Sequence, residues 1–110
     1  MTTLPSWRVS QMPTPIRWTK QAQADLLAIR ATIARQAPRT AKAFIQRLRL
    51  HVERLHNYPG AGGIVPELGD PQIRQLLLGN YRIIYRHAAA TVDILTVYHS
   101  ARLLDIEEWE

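Results

Sequence analysis

The feature that most constrains the fold is a two-residue spacer between two strongly β-prone runs. Gln72–Leu78 reads QIRQLLL and Tyr81–Arg86 reads YRIIYR, with only Gly79 and Asn80 between them. A two-residue loop of this composition joins neighbouring strands into a tight antiparallel hairpin. A third β-prone run, Thr91–His99, follows closely along the chain. The C-terminal half therefore predicts a small antiparallel sheet.

The predicted hairpin loop also fixes which residues lie opposite one another. The expected cross-strand partners are Leu78 with Tyr81, Leu76 with Ile83, and Arg74 with Tyr85. Strict alternation along the third run places His99 on the same side as Val97 and Leu95. The arginines of the second run, at alternate positions, then share the opposite side of the sheet from the residues paired above.

Two amphipathic patterns precede these strands. Apolar residues recur at three- and four-residue spacing over Lys20–Gln36 and again over about Pro38–His56, which predicts two helices. Pro38 ends the first helix and can open the second, so the helices should form an antiparallel hairpin. A short β-prone run, Ile16–Trp18, comes before them. The predicted order is β-α-α-β-β-β, an α+β fold with a helical hairpin packed on a small antiparallel sheet.

The 110 residues suffice for one domain. We expect residues 1–15 to be a disordered or misassigned N-terminal extension, residues 16–104 to form the domain, and residues 105–110 to be an acidic C-terminal tail. Either Met1 or Met12 could be the true start. No apolar segment approaches the roughly 18 residues that cross a bilayer, so we expect no membrane contact. Without a secretory signal or any cysteine, a cytoplasmic location is favoured.

The absence of cysteine also excludes thiolate metal sites. The histidines are scattered without the spacing of metal ligands, so we expect neither a metal nor another cofactor. These histidines are His51, His56, His87 and His99.

Positive charge is unevenly distributed along the chain. The net charge is +5, but residues 1–66 hold ten Lys and Arg against two acidic residues, and residues 67–110 hold four Arg against seven. Twelve of the fourteen cations are arginine, which favours bidentate contact with carboxylate or phosphate groups. A basic surface indicates an anionic partner, either nucleic acid or an acidic protein segment, although it could also serve solubility alone.

Arginines also occupy positions in a strand that otherwise has the composition of a core strand. Arg82 and Arg86 could pair with Asp93 on the next strand, but a cross-strand ion pair contributes only about 0.2–1 kcal/mol. Alternatively they face an acidic segment of a partner, where a buried guanidinium–carboxylate contact can dominate binding. The third run ends in YHSAR, residues 98–102, which can also contact phosphate or carboxylate. The candidate binding residues are Arg74, Arg82, Arg86, Tyr98, His99 and Arg102.

Three strings carry a family resemblance: IRWTKQAQADLLAI (16–29), VPELGDPQIRQLLLGNYRIIYR (65–86) and ILTVYHSARLL (94–104). They resemble the ParE/RelE superfamily of type II toxin–antitoxin toxins, and more particularly its ParE branch, over residues 16–104. The resemblance implies a small bacterial toxin that stabilises plasmids or slows growth. It also implies a cognate ParD-like antitoxin whose acidic C-terminal segment crosses the toxin's sheet in a hetero-oligomer.

The resemblance leaves two targets, since ParE-type toxins act on DNA gyrase and RelE-type relatives cut messenger RNA on the ribosome. RNA cleavage needs a base, an acid and cations around the phosphate, which RelE-type relatives draw partly from lysines. This chain has no lysine from Gln46 onward, and its acidic tail would repel a phosphate backbone. We therefore expect a non-enzymatic gyrase inhibitor, with the ribosome-dependent endonuclease as the alternative. In that alternative the catalytic candidates are Arg82, Arg86, His99 and Arg102.

The basic helices could instead bind DNA directly. Phe44 is the only phenylalanine, and the helical patterns hold no row of aromatic residues on which bases could stack. Direct DNA recognition is therefore not expected.

Overall fold

Two helices pack on one face of a five-stranded sheet, in a computed structural model that describes residues 13–100. The predicted α+β class and the helical hairpin are confirmed. In chain order the elements are β1 (Ile16–Trp18), α1 (Lys20–Ala34), α2 (Pro38–Glu53), a 3₁₀ turn (Arg54–His56), β2 (Gly63–Ile64), β3 (Ile73–Leu78), β4 (Tyr81–Ala88) and β5 (Thr91–His99).

The sheet is mixed, whereas the sequence predicted an antiparallel one. Its strand order is β1-β5-β4-β3-β2, and β1 runs parallel to β5 while the other neighbours are antiparallel. The parallel pairing of β1 and β5 joins elements that are far apart in the chain, since both helices and strands β2 to β4 lie between them. The two-residue strand β2 was not predicted, since it lies within a turn-rich segment.

The predicted hairpin between β3 and β4 is confirmed in loop and register. Leu78 lies opposite Tyr81, and the pairing continues through Arg74 opposite Tyr85. Gly79 has a φ of +58°, a left-handed conformation that glycine adopts without steric cost. Local turn chemistry thus determines the alignment of the two central strands.

Thr19 ties the start of α1 to the middle of β5. Its hydroxyl oxygen accepts a hydrogen bond from the backbone N–H of Ala22 at 3.2 Å, as an N-cap does. The same hydroxyl donates to the carbonyl oxygen of Ile94 at 2.7 Å.

Neither helix of the part described is long and apolar enough to cross a membrane.

A β-bulge in β5 changes which side chains share a face. Tyr85 pairs with Ile94 and Ile84 with Thr96, so Leu95 is the extra residue. The expectation that Leu95 shares a side with Val97 is therefore wrong, because the extra residue shifts the alternation by one position.

Asp25, on α1, supports this bulge from the helical layer. Its Oδ2 accepts hydrogen bonds from the hydroxyl of Thr96 at 2.5 Å and from the backbone N–H of Val97 at 3.0 Å. A carboxylate thus provides an acceptor where the strand ladder is locally disrupted.

The buried residues form two clusters, one on each face of the sheet. The inner cluster, between sheet and helices, contains Ala22, Leu26, Ile29, Leu48, Val52, Leu55, Ile83, Tyr85, Val92, Ile94 and Val97. The outer cluster, on the opposite face, contains Val65, Ile73, Ile84, Leu95 and Tyr98, with Leu68 packed against it. Val65 and Leu68 belong to residues 65–72, the segment between β2 and β3 that we call the roof loop. The outer face thus has its own small core, covered by a loop.

Candidate functional site

The predicted binding residues lie on two different faces of the sheet. Arg82 and Arg86 project from the outer face, on the side of the outer cluster that includes Tyr98. Arg74 and His99 lie opposite inner-face tyrosines in the ladder and so project from the other side. Arg102 lies outside the described residues. The structure therefore does not gather the described candidates into one cluster.

Arg82 already holds a carboxylate of its own chain. Its Nη1 and Nη2 donate to the two carboxylate oxygens of Glu67, in the roof loop, at 2.7 and 2.9 Å. Its Nε donates to Oε1 of Gln75 at 2.7 Å, and the guanidinium lies over the ring of Tyr98, 5.4 Å from the centroid. Only 12% of the Arg82 side chain is exposed. Within the described residues, the acidic group in the fork of Arg82 is thus the Glu67 carboxylate of the same chain, whereas the sequence led us to expect a partner's carboxylate there.

The electrostatics of this pair agree with its geometry. Hydrogen bonding from Arg82 lowers the pKa of Glu67 below its ordinary value, and the carboxylate in turn raises the pKa of Arg82. Burial raises the pKa of Tyr98. The Tyr98 hydroxyl is buried and close enough to Arg82 for the guanidinium to oppose this rise in pKa, but its O–H donates to no residue within 13–100. The site therefore combines a satisfied ion pair with an unsatisfied hydroxyl.

Arg86, the second arginine of the outer face, lies near Asp93, which is also bonded by Arg17 of the edge strand β1. Asp93 accepts a hydrogen bond from Nε of Arg17, on β1, at 2.8 Å. This bond is the main cause that lowers the pKa of Asp93, and the charge of Arg86 adds to it. Arg86 lies opposite Asp93 in the ladder, but no described residue accepts a hydrogen bond from it. Asp93 therefore bonds Arg17 rather than the predicted Arg82 or Arg86.

Arg74 and His99, the candidates on the inner face, contact groups of their own chain. Nη1 of Arg74 donates to the carbonyl oxygen of Gly62 at 2.9 Å, which holds the chain beside β2. The ring of His99 meets that of Tyr81 edge-on, with centroids 5.3 Å apart. His99 is exposed at the end of β5, beside a shallow cavity of about 330 Å³. That cavity is lined by Asp25, Ala28, Ile29, Thr32, Tyr81, Val97, Tyr98 and His99.

A groove on the helical layer was missed by the sequence reasoning. It has a volume of about 360 Å³ and is lined by Trp18, Gln23, Leu26, Leu27, Arg30, Ile45 and Arg49. The guanidinium of Arg49 lies 5.7 Å from the centre of the Trp18 ring, and 68% of Leu27 is exposed. Leu27 was the available signal, because it is a large apolar residue outside the buried stripe of α1. An apolar floor with cationic sides suits a segment that is both apolar and acidic.

Comparison with known families identifies the chain. The model of the ParE toxin of type II toxin–antitoxin systems, parDE, matches residues 16–104. The chain belongs to this ParE toxin family. It is thus the toxin of a type II toxin–antitoxin module, and the predicted ParE/RelE superfamily is confirmed.

Individual relatives of this ParE-family toxin come from both branches of the superfamily. Toxin RelE2 of Caulobacter vibrioides is 36% identical over 87 residues, covering 78% of this chain and 94% of that protein. The chromosomal ParDE system of P. aeruginosa contains a chain with a TM-score of 0.68 and 25% identity, covering 82% and 97% of the two chains. The RelBE2 complex of Mycobacterium tuberculosis gives a TM-score of 0.53 and 26% identity, covering 79% and 98%. The solved neighbours belong to toxin–antitoxin systems, which supports a cognate antitoxin as a partner.

Proposed function

We propose that this toxin inhibits DNA gyrase and is neutralised by a cognate ParD-like antitoxin. The observation that carries the proposal is the Glu67 carboxylate in the fork of Arg82. An arginine held this way is not available to stabilise the charge that develops on a phosphate during RNA cleavage. The match to the ParE family supports the same target.

The positions of the remaining groups also argue against RNA cleavage. A general base, a general acid and the phosphate-binding cations must reach the same phosphodiester. Arg82 and Tyr98 lie on the outer face, whereas Arg74 and His99 project from the inner face. The raised pKa of Tyr98 makes its hydroxyl a poor proton acceptor at neutral pH. The described residues thus offer no single surface with all three functions.

The test uses the purified full chain in two parallel reactions. We expect it to inhibit supercoiling of a relaxed plasmid by gyrase, or to trap cleaved plasmid, and to leave messenger RNA intact in a translating extract. Cuts at codon intervals together with normal supercoiling would support the alternative, a ribosome-dependent messenger RNA endonuclease. That alternative is favoured by the relative named Toxin RelE2.

We further propose that the antitoxin, which the resemblance leads us to expect across the sheet, also places an acidic and apolar segment in the groove of the helical layer between Trp18 and Ile45. Arg49 and Arg30 flank its apolar floor, so carboxylates of the segment would find bidentate partners there. We expect Arg49→Glu to weaken antitoxin binding by at least about tenfold, as loss of an interface arginine often does. Arg47→Glu is the matched control, because Arg47 is exposed on the same helix and does not line the groove. Equal weakening by both substitutions would contradict this assignment.

A further inference from the structure

We propose that Glu67 determines the specificity of this toxin by holding Arg82 and so keeping the phosphodiester backbone of RNA off the outer face of the sheet. The inference rests on the proposed function, since it explains why a chain with outward-facing strand arginines would not act on RNA. It assigns a role to an acidic residue that lies outside the predicted site.

The roof loop holds the Glu67 carboxylate in a fixed position beside Arg82. Val65 and Leu68 anchor the loop on the outer cluster on either side of Glu67. The carbonyl oxygen of Val65 accepts hydrogen bonds from the N–H groups of Leu68 at 3.1 Å and Gly69 at 2.9 Å, which closes a tight turn. Gly69 has a φ of +63°, a conformation suited to glycine. A carboxylate anchored in this way loses little conformational freedom when it binds Arg82.

The guanidinium is held in place by contacts that do not involve Glu67. Gln75 accepts a hydrogen bond from its Nε, and its central carbon lies over the Tyr98 ring, 5.4 Å from the ring centroid. Removing the carboxylate would therefore leave an oriented, largely buried fork of N–H donors, which binds oxyanions through two parallel hydrogen bonds. Arg86, on the same face and four residues further along β4, adds a second positive charge.

The Tyr98 hydroxyl favours phosphate over carboxylate as the anion that would bind. Both oxygens of the Glu67 carboxylate are bonded to Arg82, and the buried Tyr98 hydroxyl is close enough to the guanidinium to interact with it, yet its own O–H donates to no residue within 13–100. A planar carboxylate in the fork thus leaves that donor unused. A phosphodiester is tetrahedral, so its oxygens and ester groups do not lie in one plane and can reach both the fork and the hydroxyl.

The test measures binding of a fluorescently labelled single-stranded RNA oligonucleotide to full-length variants by anisotropy. Glu67→Gln should bind the RNA at least about tenfold more tightly than the unsubstituted chain, because a neutral amide holds the Arg82 fork less strongly than a carboxylate does, so that a phosphate can displace it and make a charge-assisted bidentate contact. Glu53→Gln makes the same charge change at an exposed residue of α2 and should change the affinity less than about twofold. Combining Glu67→Gln with Arg82→Gln should return the affinity to its original value.

The inference is overturned if Glu67→Gln and Glu53→Gln strengthen RNA binding equally, or if the gain survives Arg82→Gln. It is also overturned if Glu67→Gln gains affinity for a polyglutamate peptide and none for RNA. Should Glu67→Gln not fold, Glu67→Asp serves instead, because it shortens the carboxylate at unchanged net charge. A gain in RNA affinity by this variant supports the inference, and no gain contradicts it. Supercoiling inhibition by the unsubstituted chain, measured on the same preparation, tests the proposed function separately.

Discussion

The two faces of the sheet are covered by different elements, the inner face by helices and the outer face by a loop. The inner face is covered by two helices and is apolar throughout its centre, with Leu48, Ile83 and Tyr85 fully buried. The outer face has a smaller cluster under a single loop, bordered by the ion pairs of Arg82 and Arg17. Helix packing excludes water and polar groups, whereas a loop cover leaves room for charged side chains at its border.

This difference changes how arginines in a strand should be interpreted. Arg82 has a surface position in the strand pattern, yet its guanidinium is bonded by the loop that covers its own face. The side chain of Arg86, on the same strand and face, forms no hydrogen bond with a described residue, although its charge lowers the pKa of Asp93. The same residue type thus holds the covering loop in one case and does not in the other.

Adjacent isoleucines of β4 allow the two faces to be compared directly. Ile83 and Ile84 are both fully buried, the first in the inner cluster and the second in the outer one. We expect Ile83→Ala to lower the free energy of unfolding by about 4 kcal/mol and Ile84→Ala by about 2–3 kcal/mol, because a loop collapses into a cavity more readily than packed helices do. Urea denaturation measures both. A larger loss for Ile84→Ala would show that the roof loop packs as rigidly as the helices.

Neighbouring glycines before β3 test how tightly the chain approaches the sheet. A Cβ added at Gly62 would lie 2.6 Å from the carbonyl oxygen of Gln75 and 2.7 Å from the hydroxyl of Tyr85, whereas one at Gly63 would meet nothing within 4 Å. The Tyr85 hydroxyl also accepts from the Gly62 N–H and donates to the carbonyl oxygen of Pro59. We expect Gly62→Ala to cost about 1–3 kcal/mol through this overpacking. Gly63→Ala is the control and should change the unfolding midpoint little; equal effects would contradict the close approach.

The acid sensitivity of the chain should depend on the outer face. Arginine partners lower the folded-state pKa values of Glu67 and Asp93, so their stabilisation is complete above the unfolded-state pKa values. It is lost as the pH falls through the lowered folded-state values. We expect the urea midpoint of the unsubstituted chain to fall between about pH 5 and pH 2, and to fall less in Glu67→Gln. Identical declines in the two proteins would contradict the contribution of Glu67.

The parts of the fold that the sequence predicted are those fixed by local chemistry. The Gly79–Asn80 loop determined the β3–β4 register, and apolar spacing located both helices. The bulge at Leu95 is not visible in the alternation of apolar and polar residues along β5. The face on which each β5 side chain lies therefore could not be predicted across the bulge. The turn at Ala89 and Ala90, both with positive φ, was equally hidden because alanine rarely adopts that conformation.

The candidate site was predicted less well because its contacts are not local. Glu67 and Arg82 are fifteen positions apart in the sequence. Asp25 accepts a hydrogen bond from the hydroxyl of Thr96, which is seventy-one positions away. Composition identified the arginines as unusual but could not show that one of them is bound within the chain. Arg82, Arg86 and Tyr98 do share a face, and the hairpin register had already predicted that Arg74 lies on the other one. The position of His99 relative to them depends on the register between β4 and β5, which the sequence did not determine.

The chain's own roof loop closes the outer face through the ion pair of Glu67 and Arg82. A double-mutant cycle of Glu67→Gln and Arg82→Gln, measured by urea denaturation, tests it most directly, with Arg17→Gln and Asp93→Asn as the comparison cycle. We expect a coupling free energy of about 1 kcal/mol or more for Glu67 and Arg82. The coupling of Arg17 and Asp93 should be smaller, because 74% of the Arg17 side chain is exposed. Effects of Glu67→Gln and Arg82→Gln that add within about 0.3 kcal/mol would contradict the account.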